Sequence, residues 1–354
     1  MNSRVVAVFI GIFVFSLTGC GGRQAEQTRE YSILNTLRLP AGYQGSGIDA
    51  RGSLAYISMM ATGSQTGARS LVIANLEKPA APAILSATSS GLASDMAGIV
   101  VSGTHAYVPF ESNQGTNFQV WDVRTPSSPS VVGSTSISCP AGMFPFGNPV
   151  LYGNYVYVSC FESEVTATGA FDIIDVSNPA SPSVVATVSV TADYQPISLS
   201  ISGQNLYVVA TQGGSTTDYV LLYSIANPTS PSAVATVSIP HSPQWVAAQR
   251  TVAVVPIYDG SELQIVDFSN PSEPQTYNSS LGSCHPQSGT AYTGYMVFLP
   301  CGSPGGIALV NLAKVSGPTY SGTVLGGTVF NFLVASGPFL YGLDASGNLQ
   351  TMGF

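Results

Sequence analysis

The chain has 354 residues, of which only 8% are charged and 45% are hydrophobic. An average globular protein carries about 25% charged residues, and this much apolar material excludes a mainly disordered chain. A net charge of -8, with no cluster of Lys or Arg, excludes nucleic acid as a partner. Abundant Val, Ile, Thr, Tyr and Ser, together with 37 Gly and 24 Pro, favour an all-β fold.

Residues 1–19 have the pattern of an export signal. Arg4 precedes an apolar run that is too short to span a bilayer as a helix but is typical of a signal peptide. The run ends at Leu17-Thr18-Gly19-Cys20, which resembles a bacterial lipobox. The resemblance implies cleavage before Cys20 and lipidation of its thiol. The alternative is an ordinary signal peptide that ends near a buried cysteine.

A lipidated Cys20 predicts a protein that is anchored to a membrane without spanning it. Gly21, and not Asp, follows this cysteine. By resemblance to lipoprotein sorting in enterobacteria, Gly21 implies the outer membrane. Residues 20–30 are polar and are expected to form a flexible tether. We therefore expect a lipid-anchored protein of the cell envelope, with its folded part in residues 31–354.

A pattern of apolar residues, an Asp-like residue and a Pro-containing turn recurs through the folded part. The Asp-like residues are 43 to 53 residues apart, which is the spacing of β-propeller blades. They are Asn75, Asp122, Asp175, Ser224, Asp267 and Asn311. We expect their side chains to accept hydrogen bonds from the backbone of the following turn, and metal ligation is the alternative.

Seven apolar pairs, each at the end of a strand, predict seven blades. They are Tyr56-Ile57, Tyr107-Val108, Tyr157-Val158, Tyr207-Val208, Ala253-Val254, Met296-Val297 and Leu340-Tyr341. The seventh blade has sequence for only three strands, and residues 31–39 read like the outer strands of other repeats. We expect this N-terminal strand to complete the seventh blade, so that no central edge stays unpaired. The expected fold is all-β, a seven-bladed β-propeller of four-stranded antiparallel blades.

The second to fifth repeats carry a specific family resemblance, which two segments show best. The segment Leu263-Gln264-Ile265-Val266-Asp267 nearly spells the consensus of the LVIVD repeat, and Ile173-Ile174-Asp175-Val176-Ser177-Asn178-Pro179 extends it into the Asn-Pro turn. The chain resembles the LVIVD family over about residues 31–354. This resemblance implies a β-propeller at a bacterial cell surface, and it implies no single shared reaction.

Besides Cys20, four cysteines occupy the same two places in two repeats: Cys139 and Cys160 in the third, Cys284 and Cys301 in the sixth. The first of each pair precedes an innermost strand and the second ends the next strand, and these places are neighbours in an antiparallel pair. Because an exported chain can form disulfides, we expect the bonds Cys139–Cys160 and Cys284–Cys301. A zinc site is not expected, since the two blades are not adjacent.

The loops that enter the innermost strands share one face, which we call the upper face, with the loops that follow the second strands. These loops predict an acidic surface, with Glu111, Glu162, Glu164, Asp218, Asp259 and Glu262 against Arg69. Counting back from the glycines that end the inner strands places a set of side chains at the channel mouth: Gln44, Asp95, Phe146, Gln195, Gln244, Trp245 and Gln287. They suit a neutral, hydroxyl-rich or peptide ligand, and the alternative is that they only fill the channel.

His241 and His285 precede inner strands of neighbouring blades. Together with an upper carboxylate they would suit a metal or acid-base site, but we favour exposed loop histidines. The sequence has only three histidines and no G-x-S-x-G, H-E-x-x-H or EF-hand pattern. We therefore assign no catalytic residue, no metal and no cofactor.

The sequence favours a non-catalytic binding module that presents its acidic loop face to an envelope protein or a neutral ligand. A propeller enzyme, lactonase-like or quinoprotein-like, with its site at the channel mouth is one alternative, and a structural subunit of a surface assembly is another. Few cations lie near the inner strands, namely Arg51 and Arg250, which weighs against the enzyme. Fold alone does not choose among these functions.

Overall fold

The computed structural model describes residues 31–63, 65–140, 142–162, 168–190, 194–212, 215–302 and 304–353. The signal, Cys20 and the tether lie outside these ranges, as does Glu164 of the upper loops. Every regular element within the ranges is a β-strand. Nowhere in the described ranges is there a helix of the length and apolarity that crossing a membrane requires.

In the described ranges, 28 strands form seven four-stranded antiparallel sheets, the blades, each of which runs from the channel outwards. Blade 1 comprises β2 (Tyr43–Arg51), β3 (Leu54–Ala61), β4 (Ser70–Asn75) and β5 (Ala83–Ser89), and blade 2 comprises β6 (Val100–Ser102), β7 (His105–Pro109), β8 (Phe118–Asp122) and β9 (Ser130–Thr135). Blade 3 comprises β10 (Phe144–Tyr152), β11 (Tyr155–Phe161), β12 (Ala170–Asp175) and β13 (Ser183–Ser189), and blade 4 comprises β14 (Gln195–Ser202), β15 (Asn205–Thr211), β16 (Thr217–Ser224) and β17 (Ser232–Pro240).

The remaining three blades follow the same order. Blade 5 comprises β18 (Ala247–Gln249), β19 (Val252–Ile257), β20 (Glu262–Asp267) and β21 (Gln275–Ser280), and blade 6 comprises β22 (Ala291–Thr293), β23 (Met296–Pro300), β24 (Ile307–Asn311) and β25 (Thr319–Val324). Blade 7 comprises β26 (Phe330–Ser336), β27 (Phe339–Asp344), β28 (Asn348–Gly353) and, outermost, β1 (Ser32–Arg38).

The N-terminal strand β1 closes the ring. It pairs antiparallel with β28, so that Ser32 lies opposite Gly353 and Arg38 opposite Asn348. Seven blades and closure by the N-terminal strand are therefore confirmed. The pairing covers the outer edge of β28 and ties the two ends of the propeller together.

The hydrophobic cores lie between blades. In the described ranges, buried apolar side chains form seven clusters, and each joins one blade to the next around the ring. Between blades 3 and 4, for example, the rings of Phe171 and Tyr223 meet edge to face with centroids 5.5 Å apart. The middle strands are buried on both faces, whereas the outer strands alternate between exposed and half-buried residues. Packing between neighbours therefore stabilises each blade.

The repeated Asp-like residues serve the turns. Each accepts a hydrogen bond from the backbone amide two residues ahead, at 2.8 to 2.9 Å for Asn75, Asp122, Asp175, Asp267 and Asn311 and at 3.4 Å for Ser224. The structural interpretation of the repeat is confirmed. Such a bond satisfies a turn amide that no strand pairs.

Both expected disulfides are present. Cys139 bonds to Cys160 and Cys284 bonds to Cys301, with Cα atoms 5.5 and 5.2 Å apart. Among the described residues, Cys139, Cys160 and Asp172 are the group of three possible metal ligands, with their ligand atoms within 4.8 Å of one another. Because the two sulfurs are bonded to each other, they are not thiolate ligands.

Candidate functional site

The innermost strands are interrupted at their upper ends. In blades 1, 3, 4 and 7 the pairing with the second strand shifts register, at Gly45/Gly47, Phe146/Val150, Pro196/Ser198 and Phe330/Phe332. In blades 2, 5 and 6 the inner strand has three residues and an isolated bridge lies beyond it. Interruptions of this kind bend a strand and re-aim its side chains.

These interruptions surround a cavity of about 340 Å³ at the channel mouth. In blades 1 to 6, the residue six positions before the left-handed turn residue lines it: Ser46, Ala97, Gly147, Ile197, Gln244 and Ser288. In blade 7 the lining residue is Phe332. The volume lies in the range of small-molecule sites, which are about 300 to 1,000 Å³.

The cavity wall is rich in aromatic rings. Trp245 and Phe332 meet edge to face with centroids 6.1 Å apart, and Phe146 packs against Phe161 with centroids 4.8 Å apart. Met60, Ile197 and Pro243 add apolar surface. A wall of this composition favours a ligand with an aromatic or apolar face.

Glu111 brings a carboxyl group to this apolar wall. Among the described residues that line the cavity, it alone is ionisable. Burial, followed by the charge of nearby Asp95, raises the pKa of Glu111 to about 7. Near neutral pH this carboxyl group is therefore partly protonated, and a protonated carboxyl group can donate a hydrogen bond as well as accept one.

The structure divides the predicted mouth residues into two groups. Phe146, Gln244 and Trp245 line the cavity. The others lie one or two positions earlier in the chain than the lining residue of their own blade: Gln44, Asp95, Gln195 and Gln287.

The second group makes contacts within the protein. Asp95 pairs with the buried Arg69 and accepts a hydrogen bond from the Ala61 amide at 2.8 Å. Buried Gln195 accepts a bond from the Glu162 amide at 3.2 Å through Oε1, while its Nε2 has no partner among the described residues. Asp95 and Gln195 thus tie upper loops together, and Asp95 neutralises Arg69, the cation predicted for the upper face.

The two upper histidines have separate partners. His241 Nδ1 lies 2.9 Å from Oδ2 of Asp218. Burial raises the pKa of Asp218, and the Gln212 amide and His241 oppose that rise. His285 Nδ1 lies 3.1 Å from Ser261 Oγ and 3.2 Å from the Tyr258 carbonyl oxygen. Within the described ranges neither histidine belongs to a group of three possible metal ligands.

The sequence pattern does not single out several of the lining residues. It places Glu111 only within an acidic surface, and it gives no reason to choose Phe332. The one signal for Phe161 is its place at the end of β11, directly after Cys160. Phe332 lies beside a register shift that the sequence does not announce.

Comparisons with known proteins agree with this architecture. The LVIVD repeat model matches residues 93–136, 149–190 and 257–280. No curated protein sequence matches the chain.

Among solved structures, hydrazine synthase from Kuenenia stuttgartiensis has a TM-score of 0.67 at 16% identity, covering 94% of this chain and 99% of that chain. Virginiamycin B lyase from Staphylococcus aureus has a TM-score of 0.64 at 9% identity, covering 92% and 100%. BamB from Moraxella catarrhalis has a TM-score of 0.56 at 16% identity, covering 87% and 84%. Identities this low show a shared fold alone. The seven sheets therefore form a seven-bladed β-propeller, and three segments of the chain match the LVIVD repeat model.

Proposed function

We propose that this propeller is a non-catalytic binding module of the cell envelope, anchored through a lipidated Cys20. It takes a small uncharged ligand with an aromatic or apolar face at the channel mouth. The observation that carries the proposal is the cavity of about 340 Å³ whose wall combines paired aromatic rings with a single carboxyl group. Rings cover the apolar face of such a ligand, and Glu111 bonds to its polar edge.

The polar groups of the wall favour a neutral ligand. Ser46 Oγ donates to Ser58 Oγ at 3.0 Å, and Ser288 Oγ donates to the Gln244 carbonyl oxygen at 3.3 Å. The Gln244 side chain donates only long bonds, of 3.4 and 3.5 Å, to neighbouring carbonyls. A ligand acceptor can replace such weak bonds at little cost. No cationic side chain belongs to the described wall, so an anionic ligand has no counter-charge there.

The same wall supports binding over catalysis. Nucleophilic catalysis needs a hydroxyl, thiol or amine held against a base. The described wall offers two serine hydroxyls, and both bond to other groups of the protein that are not bases. A covalent mechanism that starts from one of these serines therefore has no described base at this cavity.

Phenyl β-glucoside, an uncharged probe with a ring and hydroxyl groups, tests the proposal on the whole chain. Of the two tryptophans, Trp121 is fully buried and Trp245 lines the cavity, so binding should change the emission of Trp245. Trp245→Ala, which removes the reporting ring and is therefore followed by calorimetry, should weaken binding about tenfold. Val185→Ala, on the outer strand of blade 3, is the control. Equal affinity in the Trp245 variant would contradict the site, and release of phenol would favour an enzyme.

Glu111 adds a pH dependence to the same titration. Its pKa of about 7 leaves it mostly neutral at pH 6 and mostly charged at pH 8. A charged carboxylate holds water more strongly than a neutral one, so the probe should bind more weakly at pH 8. Glu111→Gln should bind equally at both pH values. A pH dependence that persists in this variant would assign the effect to another group.

The anchor has its own test. Cys20→Ala should leave the chain without acyl mass and release it from the membrane fraction. Gly21→Asp should stay lipidated but move between membranes if the sorting resemblance holds. Normal acyl mass on Cys20→Ala would end the lipoprotein proposal and leave the cavity proposal untouched.

A further inference from the structure

A second cavity, which we call the turn pocket, lies between blades 5 and 6 at the opposite ends of the inner strands. Its volume is about 210 Å³, and its wall includes Arg250, Asp267, Tyr292, Tyr295, Leu312 and Val315. Arg250 comes six residues after Gln244 of the channel mouth, which is about 20 Å of strand. The turn pocket is therefore a separate site from the cavity at the channel mouth.

Arg250 occupies a backbone position that other blades give to glycine. At the turn after the inner strand, φ is 57° for Arg250. At the same turn the other six blades have φ values of 56° to 62°, at Gly52, Gly103, Gly153, Gly203, Gly294 and Gly337. A side chain costs about 1 kcal/mol in this left-handed region relative to glycine. The buried Tyr207 holds the turn by donating its hydroxyl to the Arg250 carbonyl oxygen at 3.0 Å.

A strained left-handed backbone at a residue other than glycine suggests that the Arg250 side chain has a function. Arg250 is exposed, and its guanidinium forms no ion pair with any described residue. The acid in the pocket wall is Asp267, whose Oδ1 accepts the Ser269 amide at 2.8 Å in the repeated turn. Burial raises the pKa of Tyr292 well above 10, so this part of the wall stays uncharged. Among the described wall residues, the guanidinium is thus the one cation, and it has no ion-pair partner.

Apolar side chains form one part of the pocket wall beside polar residues such as Gln249 and Thr251. Tyr295 is 56% exposed, more than any other large hydrophobic side chain in the described ranges. Leu312 and Val315 lie in the same wall. The pocket volume of about 210 Å³ suits a phenyl ring with a short acidic chain.

We propose that the turn pocket binds a small amphipathic carboxylate. The Arg250 guanidinium donates two parallel N–H bonds to the carboxylate oxygens, a geometry that guanidinium groups favour. Tyr295, Leu312 and Val315 cover the apolar part of the ligand. This site is independent of the channel mouth, whose described wall has no cation.

Three probes of graded chemistry test the site by calorimetric titration of the whole chain at low salt. 3-Phenylpropionate has both features, 3-phenylpropanamide has the same shape without the charge, and acetate has the charge without the ring. We expect the phenylpropionate to bind at least about tenfold more tightly than the amide, and acetate to give no measurable binding. Equal binding of the acid and the amide, or no binding of the acid, would overturn the proposal.

Arg250→Gly separates a binding role from a structural one. This change restores the residue of the other six blades, so the melting temperature should rise while the preference for the acid over the amide disappears. Tyr295→Ala should weaken both probes equally. Arg51→Ala, which removes an exposed arginine beside the matching turn of blade 1, is the control and should bind as wild type does. A preference for the acid that survives Arg250→Gly would overturn the assignment of Arg250.

Discussion

Blades 3 and 6 contain the same crosslink in different surroundings. Each disulfide joins a residue ahead of the inner strand to the end of the second strand, with Cα separations of 5.5 and 5.2 Å. The two blades differ at one matching position of the third strand. Blade 3 has Asp172 there, paired with Val158, and blade 6 has Ala308, paired with Leu299. One crosslink therefore has a carboxyl group beside it, and the other has a methyl group within an apolar cluster.

The difference shows that the acid is not needed for the crosslink. Asp172 is fully buried, and neither carboxyl oxygen makes a hydrogen bond of normal geometry with a described residue. Burial raises the pKa of Asp172, and the nearby Thr187 hydroxyl and Ser138 amide oppose that rise only in part. A buried acid with poor partners destabilises the folded state, so blade 3 carries a cost that blade 6 does not.

Blade 7 differs from both, because two distant parts of the chain form it, and the largest effect is expected there. Deleting residues 31–39 exposes the edge of β28 and removes the contact between the chain ends. The melting temperature in scanning calorimetry should fall by about 10 °C or more, or the protein should aggregate. Deleting residues 21–30 is the control and should leave melting unchanged. Equal melting of the two truncations would contradict the role of β1 in closure.

Removing each disulfide in turn tests whether the two crosslinks stabilise the protein equally. The paired substitutions Cys139→Ala with Cys160→Ala, and Cys284→Ala with Cys301→Ala, should each lower the free energy of unfolding by about 3 kcal/mol. The effects should be alike, since the crosslinked positions are 21 and 17 residues apart. Denaturant titration measures both. A difference above about 1 kcal/mol would mean that local surroundings outweigh loop length.

An aspartate placed in blade 6, at the position that matches Asp172 of blade 3, should destabilise the folded protein as Asp172 does. Ala308 is fully buried among apolar residues that include Leu299 and Val310. Ala308→Asp should lower the free energy of unfolding by about 2 to 4 kcal/mol in denaturant titration at pH 7. Ala308→Ser is the uncharged control and should cost less. Equal losses would trace the cost to polarity or size and not to charge.

Removing the acid from blade 3 should have the smallest effect and the opposite sign. Asp172→Asn should raise the free energy of unfolding by roughly 1 to 2 kcal/mol at pH 7. Because the folded-state pKa of Asp172 lies above its ordinary value of 3.8, the wild type loses stability as the pH rises from about 4 toward that pKa. The gain should therefore be small at pH 3 and grow above pH 4.

Asp175→Asn is the matched control for this pH profile. Asp175 lies on the same strand and serves its turn, and asparagine stands at the matching place in Asn75 and Asn311. Its pH profile should follow the wild type. If Asp172→Asn and Asp175→Asn reduce the pH dependence of the free energy of unfolding equally, Asp172 is not the titrating group.

The features that the sequence predicted correctly are local or periodic. They are the spacing of the repeats, the apolar pairs at strand ends and the Asp-like residues of the turns. Each depends on residues that are close in the chain, so it can be recognised without knowing which blades are neighbours. The disulfides followed from two cysteines that occupy matching strand ends. Closure by β1 followed from a strand missing in blade 7 and an unpaired strand at the N-terminus. The lipid anchor at Cys20 stays a prediction.

By itself the sequence determined the propeller, its blade count, its closure and its crosslinks, because alternation and repetition are properties of the chain. The sequence placed Phe146, Gln244 and Trp245 at the channel mouth, and only the tertiary structure decided which other side chains line the cavity. Interruptions in the inner strands place Ser46 and Ile197 on the wall instead of Gln44 and Gln195, and such interruptions form where strands converge on a channel. Tertiary packing also raises the pKa of Glu111 through burial and Asp95, since a charge responds to every element around it.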